Sequence, residues 1–331
     1  MKQALARRPK NTPSTVLAAN LAAYAAQAEG AFSPNTLRAL LADQRVFGAF
    51  CDQHGVTDLP ATPATVAAFV RAMAATKKPA TIRRYLASIA HKHRAAQAPD
   101  PCKTDAVTLA LKALHRAEGR AQKQAAPLRR EHVVAALRAR PRLSLRDLRQ
   151  RAIIAVAYDS LCRASELVAL RVNDITAADD GAATVLVRRA KNDPEGEGSV
   201  RFLRRDTMNH VRAWVAAASL TDGALFRAVL KGGRVGGPLH ECEISRTMRE
   251  LAPTAAGHVS AHSTRIGACQ DLVKAGISML AVMQAGGWKT AAMPAAYNRN
   301  QEAQTGGMAM LADMQDQARR RGPAKKPRRP A

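Results

Sequence analysis

The 331-residue chain carries 51 Lys and Arg against 26 Asp and Glu, a net charge of +25, and is long enough for two domains that each bury a core. That excess favours a polyanionic partner, nucleic acid before an anionic membrane surface, and no apolar run approaches the roughly 18–20 residues of a membrane span. Aromatic residues are only 4%, too few for gripping single strands by base stacking, so duplex DNA held through its phosphates is the expected ligand. The N-terminus lacks the apolar core and cleavage site of a signal peptide. Five cysteines (Cys51, Cys102, Cys162, Cys242, Cys269) are odd in number and scattered, with no C-x-x-C, which fits reduced cytosolic thiols and neither a disulfide frame nor a zinc site.

Residues 1–13 are basic, punctuated by proline and expected to be disordered. The alanine-rich stretch from Ser14 to Glu29 favours helix. Ser33-Pro34 opens a second helix with Leu37, Leu40, Leu41, Phe47 and Phe50 roughly on its apolar side, Thr62-Pro63 repeats the device, and Pro79 precedes TIRRYLASIAHKHRAA. A last helix covers Asp105 to Glu118. Residues 14–119 thus read as a helical domain of four or five helices with no good strand. Arg83, Arg84, Lys92 and Arg94 make one helix markedly basic, either a solvated surface or a face laid on phosphates. His91 and His93, two apart, point different ways on that helix and make a poor metal pair. The polar GRAQKQAAP, with Gly and Pro at its ends, places an interdomain linker at 120–127.

The second domain is expected over 128–314. Helices are predicted at Arg130–Arg140 and Arg146–Leu161, followed by LCRASELVALRVNDI. There Arg163 and Glu166 are three apart, so the carboxylate can brace the guanidinium; the apolar Leu161, Leu167, Val168 and Leu170 argue against a merely exposed pair. Val185–Val187 and Val200–Leu203 are strand candidates, separated by the turn-rich Asn192-Asp193-Pro194-Glu195-Gly196. Lys191 lies where the first strand enters that turn; alone it is an ordinary surface lysine, with Arg188 and Arg189 as rivals for any role. Asn209–Ala218 reads as helix, KGGRVGGP as a flexible glycine loop, and Glu243–Leu251 as a helix bearing Arg246 and Arg249. Next comes HSTRIGACQDLVKAGISMLAVMQAGGWKTAAMPAAYNRN. His262 and Arg265 share a helical face, the apolar Ile277, Met279, Leu280, Val282 and Met283 end at the helix stop Gly286-Gly287, and Trp288 and Tyr297 follow. An imidazole, a guanidinium, an indole donor and a phenol in one compact unit point to chemistry on a phosphate. Pro294, three residues before Tyr297, sits near the limit of what a helix's first turn tolerates. Beyond it, Met308, Leu311 and Met314 form an apolar stripe, and residues 315–331 are a basic tail suited to non-specific phosphate binding.

The ordered set Arg163, Lys191, His262, Arg265, Trp288 and Tyr297 resembles the signature of the tyrosine recombinases, the phage integrases: an arginine box, a hairpin lysine, His-x-x-Arg, then His or Trp, then the nucleophilic tyrosine. HSTRIGACQDL, MQAGGW and YNRN are similar to the branch in which Trp stands where the wider family has His. FSPNTLRALL, TIRRYLASIAHKHRAA, DAVTLALKALHR and TGGM extend the likeness across most of residues 30–310. The resemblance implies a mainly α protein, with an N-terminal helical core-binding domain and a C-terminal mixed catalytic domain containing a small antiparallel sheet. It implies site-specific cutting and rejoining of duplex DNA through a 3′-phosphotyrosine and a Holliday junction, without metal, nucleotide or other cofactor.

It implies further that a monomer assembles as a homotetramer on two inverted-repeat sites, each protomer passing its C-terminal helix to the next, in a cytoplasmic, nucleoid-associated setting and with no membrane. Tyr297 is then the nucleophile, Arg163 and Arg265 the phosphate forks, Lys191 the leaving-group acid, His262 the proton acceptor or phosphate donor, Trp288 a phosphate donor, and Glu166 support for the arginines. Arg83, Arg84, Lys92 and Arg94 lie against DNA, and Arg246 and Arg249 are placed to read bases. Two rival readings are a catalytically idle DNA-binding protein on the same fold and a type IB topoisomerase; no charged catalytic residue is lost to favour the first.

Overall fold

Proline and a capping hydroxyl decide where the first helices begin. The computed structural model describes residues 14–121, 124–139, 144–193, 195–252 and 257–321, so the basic N-terminus 1–13 and residues 322–331 of the tail lie outside the described residues. The chain divides into two compact units, Met1–Lys123 and Gln124–Ala331.

The first unit contains α1 (Thr15–Gln27), α2 (Pro34–His54), α3 (Pro63–Ala74), α4 (Pro79–Ala95) and α5 (Asp105–Glu118). α2, α3 and α4 each open on a proline, where the missing N–H costs nothing and φ is already helical. Ser33 and Thr62 cap the first two by accepting the amides of Thr36 and Thr65 at 3.2 and 3.1 Å. The core gathers around Phe69, which Phe47 and Phe50 meet edge-on at 5.1 and 5.2 Å between ring centroids. His93 is buried here with both ring nitrogens engaged: Nδ1 lies 2.8 Å from the Ile89 carbonyl, and Nε2 accepts the Ala61 amide at 2.9 Å. α1 buries none of its residues and is tethered through Asn20, which donates to the Ala96 carbonyl at 3.0 Å, and Tyr24, 3.1 Å from His91 Nε2.

The second unit is built on α7 (Leu145–Ser160), preceded by α6 (Arg130–Arg138). Its run from Ala152 to Tyr158 is wholly buried. α8 (Ala164–Ala169) follows, then a three-stranded antiparallel sheet ordered β1 (Ile175–Ala177), β2 (Ala183–Val187), β3 (Ser199–Leu203), with Val185 opposite Arg201 and Leu186 opposite Val200. α9 (Arg205–Ala217) packs along α7. The glycine-rich KGGRVGGP is not a free loop: β4 (Arg227–Val229) and β5 (Val235–Pro238) pair antiparallel across it, and Gly232 and Gly233 take the positive φ of its turn. α10 (Glu241–Leu251), α11 (Ser263–Lys274), α12 (Met279–Gly286), α13 (Ala292–Thr305) and α14 (Gly307–Arg321) complete the unit. The architecture is mainly helical with small antiparallel sheets. No described helix is long and apolar enough to cross a membrane.

Two local features fix the elements that carry the site. Pro294 is the third residue of α13, within the first turn whose amides have no intrahelical acceptor, so the helix starts at Ala292, five residues before it reaches Tyr297. α11 presses on the backbone that enters the unit: Leu128 N–H donates to the Ser263 carbonyl at 2.8 Å, and a Cβ on Gly267 would lie 2.0 Å from the Leu128 carbonyl oxygen. Gly267→Ala therefore forces the two segments apart. Its expected cost is about 3 kcal/mol, a Tm lower by roughly 6–12 °C, against a helix-propensity gain of about 1 kcal/mol. An unchanged melting curve refutes this packing.

Candidate active site

The arginine box begins at a backbone reversal. Leu161 ends α7 in the left-handed region, at φ 52° and ψ 25°, and turns the chain so that Arg163 caps α8. Buried Glu166 holds Arg163 twice, accepting its amide at 2.9 Å and its Nη1 at 2.6 Å. A partly shielded pair held at both backbone and side chain orients a guanidinium far better than an exposed i,i+3 pair does.

Arg265, on the first turn of α11, is 1% exposed and anchored from both sides. Nη1 donates to the Leu161 carbonyl and Nη2 to the Gly286 carbonyl at 2.8 Å, so the guanidinium ties the arginine box to the end of α12. The Trp288 ring covers it, with 4.4 Å from Cζ to the ring centroid, and Trp288 in turn meets Tyr297 edge-on at 6.0 Å. Burial, then neighbouring Arg163, push the Arg265 pKa down, while Tyr297 and Glu166 oppose the shift.

His262 stands just ahead of α11 with helical backbone angles, and its carbonyl accepts the Ile266 amide at 3.0 Å. The residue is solvent-exposed, yet its ring is partly desolvated by the walls of the site. That loss of hydration, with Arg265, Arg163 and Lys191 nearby, lowers its pKa against the opposing pull of Glu166. The imidazole is thus neutral at pH 7 and able to accept a proton.

Lys191 is exposed on the β2–β3 connection. Asp193 organises that connection by accepting the amides of Gly196, Glu197 and Gly198 at 3.1, 3.0 and 2.9 Å, and these bonds, the Gly198 amide foremost, hold its carboxyl below the usual range. Of the rival cations, Arg188 is engaged by buried Asp174 at 2.6 Å, and Arg189 lies against Gly196.

The C-terminal turn of α12 joins these parts. Three of its carbonyls receive side-chain N–H groups: Gln284 from Arg201 Nη1 at 2.5 Å, Gly286 from Arg265, and Gly287 from Asn192 Nδ2 at 2.8 Å. Both glycines are required. A Cβ on Gly286 would stand 2.0 Å from the Trp288 ring, and one on Gly287, at φ 61°, would stand 2.1 Å from Arg201 Nη2. The nucleophile candidate on α13 is braced by Gln270 of α11, which donates to the Tyr297 carbonyl at 2.9 Å, and buried Asn298 donates to the Pro294 carbonyl at 2.8 Å.

Arg163, Glu166, His262, Arg265, Trp288 and Tyr297 therefore share one site, with Lys191 in electrostatic reach of His262. Arg201, Asn192, Gln270 and Asn298 were not singled out in the sequence. The signal for Arg201 was present: inward-facing Leu203 places Arg201 on the same buried face of a period-two strand.

The remaining candidates lie elsewhere. On α4, Arg83 is exposed. Arg84 pairs with Asp43 at 2.8 Å, Lys92 with Asp58 at 2.7 Å, and Arg94 more loosely with Asp100 at 3.9 Å. Lys92 is mostly buried in its pair, so its ammonium serves the fold of this unit. On α10, Arg246 and Arg249 point outward from the face that buries Ile244, Thr247, Met248 and Leu251, and Glu243 accepts from Arg246 at 2.6 Å.

Residues 127–304 match the model of the phage integrase family. The chain is 28% identical over 306 residues to the recombinase Cre of Escherichia phage P1, which spans 85% of this chain and 88% of that one. It is 30% identical over 208 residues, 60% of each chain, to an integrase/recombinase XerD homolog of Selenomonas ruminantium. Among solved structures, the Tn1549 transposon integrase in complex with transposon right-end DNA is similar at a TM-score of 0.61 and 14% identity, over 84% of this chain and 94% of that one. A lambda integrase tetramer bound to a Holliday junction is similar at 0.57 and 16%, over 87% and 78%. At such identities the structural likeness speaks for the fold.

Proposed function

The chain belongs to the phage integrase family, the tyrosine recombinases, and from that premise we propose that it cuts and rejoins duplex DNA at specific sites through a 3′-phosphotyrosine and a Holliday junction. The observation that carries this reading is the convergence of two anchored guanidiniums, a partly desolvated imidazole, an indole and a phenol on one site.

Each role follows from its chemistry. Tyr297 Oη attacks the scissile phosphorus, the bond to the 5′-oxygen breaks, and the 3′ side remains on the tyrosine. A phenol ionises near pH 10 in water, about three units above neutrality, so it needs help to act as a nucleophile. His262, neutral for the reasons given, accepts the phenolic proton. Arg163 and Arg265 present planar forks to the non-bridging oxygens as charge accumulates there, and their fixed orientation avoids reorganisation during the step. Trp288 has only an N–H to offer and can donate to a phosphate oxygen but never act as a base. Lys191 protonates the departing 5′-oxygen. Glu166 is a positioning residue for Arg163. Since one phosphodiester is exchanged for a phosphotyrosine and then for another phosphodiester, bond energy is conserved and the cycle calls for no nucleotide.

The net charge of +25 suits a duplex partner. Arg83, Arg84 and Arg94 offer exposed guanidiniums to phosphates, and Arg246 and Arg249 stand on a helix whose outer face is free to read guanine edges. Assembly is as a homotetramer on two inverted-repeat sites, formed from monomers.

The test is Lys191→Ala on a duplex selected from random sequence by the protein itself. Cleavage is expected to fall by roughly 10²–10⁴-fold, the usual contribution of a general acid, with binding intact. Replacing the 5′-bridging oxygen by sulfur, a leaving group that needs no proton, restores the rate. Cleavage without rescue removes Lys191 from this role, and a wild-type protein that forms no adduct on the duplex it selects removes the reading as a whole.

A further inference from the structure

Two residues outside the catalytic set hold its exposed hairpin lysine to its buried part. Lys191 sits on a loop whose internal bonds, through Asp193, shape it but do not aim it at the site. Asn192, the next residue, crosses 95 positions of sequence to donate to the Gly287 carbonyl at 2.8 Å, one residue before Trp288. From the other end of the same hairpin, buried Arg201 on β3 donates to Gln284 at the C-terminus of α12 and packs on Gly287. A helix C-terminus presents unpaired carbonyls and partial negative charge, so a guanidinium is stabilised there even when buried. The third donor to the turn is Arg265. Hairpin and arginine fork thus meet on the carbonyls of Gln284, Gly286 and Gly287, directly ahead of Trp288.

We propose that Asn192 and Arg201 are positioning residues that clamp the Lys191 hairpin to the α12 turn, so that the leaving-group acid and Trp288 are placed as one body. The catalytic part of this proposal rests on the recombinase reading; the clamp itself does not. A side chain held by a neighbour on a rigid turn loses little freedom on meeting the substrate, which is where positioning contributes to rate. Asn192 can engage a carbonyl only through its amide nitrogen, so aspartate at 192 cannot substitute.

Two measurements decide it. On the free protein, hydrogen exchange at the amides of Gly287 and Trp288 is expected to quicken about tenfold in Asn192→Ala and in Arg201→Met, the equivalent of one hydrogen bond, while exchange in α7 stays unchanged. Unchanged exchange at the turn in Asn192→Ala overturns the clamp. Arg201 is buried, so its variant is interpreted only with a melting temperature like that of wild type; Asn192 lies on a half-exposed loop and decides the matter alone otherwise. On a duplex selected by the Tyr297→Phe protein, Asn192→Ala is expected to cleave about tenfold more slowly, and a 5′-bridging sulfur to bring it within about twofold of wild type. Equal slowing on oxygen and sulfur substrates overturns the positioning role, because a merely loosened fold would slow both. If wild type itself forms no adduct on that duplex, the recombinase reading fails, and the exchange result still settles the clamp.

Discussion

Tyr297→Phe is expected to bind its DNA with near wild-type affinity and to form no covalent protein–DNA adduct. The substitution removes one oxygen and leaves the scaffold in place. The ring keeps its edge contact with Trp288, the backbone carbonyl still accepts from Gln270, and Asn298 still holds the first turn of α13. Binding is spread over many phosphate contacts, none of which needs the phenol. Chemistry needs it absolutely, and loss of a nucleophile costs at least roughly 10⁴-fold in cleavage. A denaturing gel of radiolabelled duplex incubated with the variant is the measurement. A persistent adduct would place the nucleophile elsewhere; loss of binding together with the adduct would make Tyr297 a structural residue.

What could be read from the sequence is what depends on local spacing. Ser33-Pro34 and Thr62-Pro63 announce helix starts because capping and fixed φ are local effects, and α2 and α3 begin there. Arg163 with Glu166, and His262 with Arg265, lie within one helical turn of each other, so their proximity follows from residue number alone. The β4–β5 hairpin was missed because a glycine-rich run looks the same as a free loop until a partner strand is known. Partners distant in sequence were equally hidden. That Lys92 would meet Asp58, or Asn192 the carbonyl of Gly287, is a property of the folded backbone. Arg201 shows the limit differently. Val200 and Phe202 beside it are exposed and Arg201 is buried, an inversion of apolar-in and polar-out that only makes sense once the carbonyls of α12 are found behind the strand.

Truncation after Thr305 is expected to leave half-site binding by one protomer largely intact while abolishing the tetrameric synapse and recombination. The cut falls at the end of α13, where Gly306 takes an extended backbone before α14 begins. α14 is 15 residues long and displays Met308, Met310, Leu311 and Met314 at 78%, 61%, 44% and 67% exposure. An isolated helix of that length is marginal in water, so an apolar face with no cover among the described residues of its own unit calls for one from outside. Methionine suits a groove on another protomer, being apolar and adaptable, and a head-to-tail contact repeated between protomers can close into a ring. The rival is that α14 folds back on its own unit, and the two differ in what truncation does to the free monomer. With a trans-docked helix, the melting temperature without DNA moves by no more than roughly 2 °C, less than 1 kcal/mol for a unit of this size. A large drop in that midpoint, with synapsis lost only in proportion to the unfolded fraction, would defeat docking in trans.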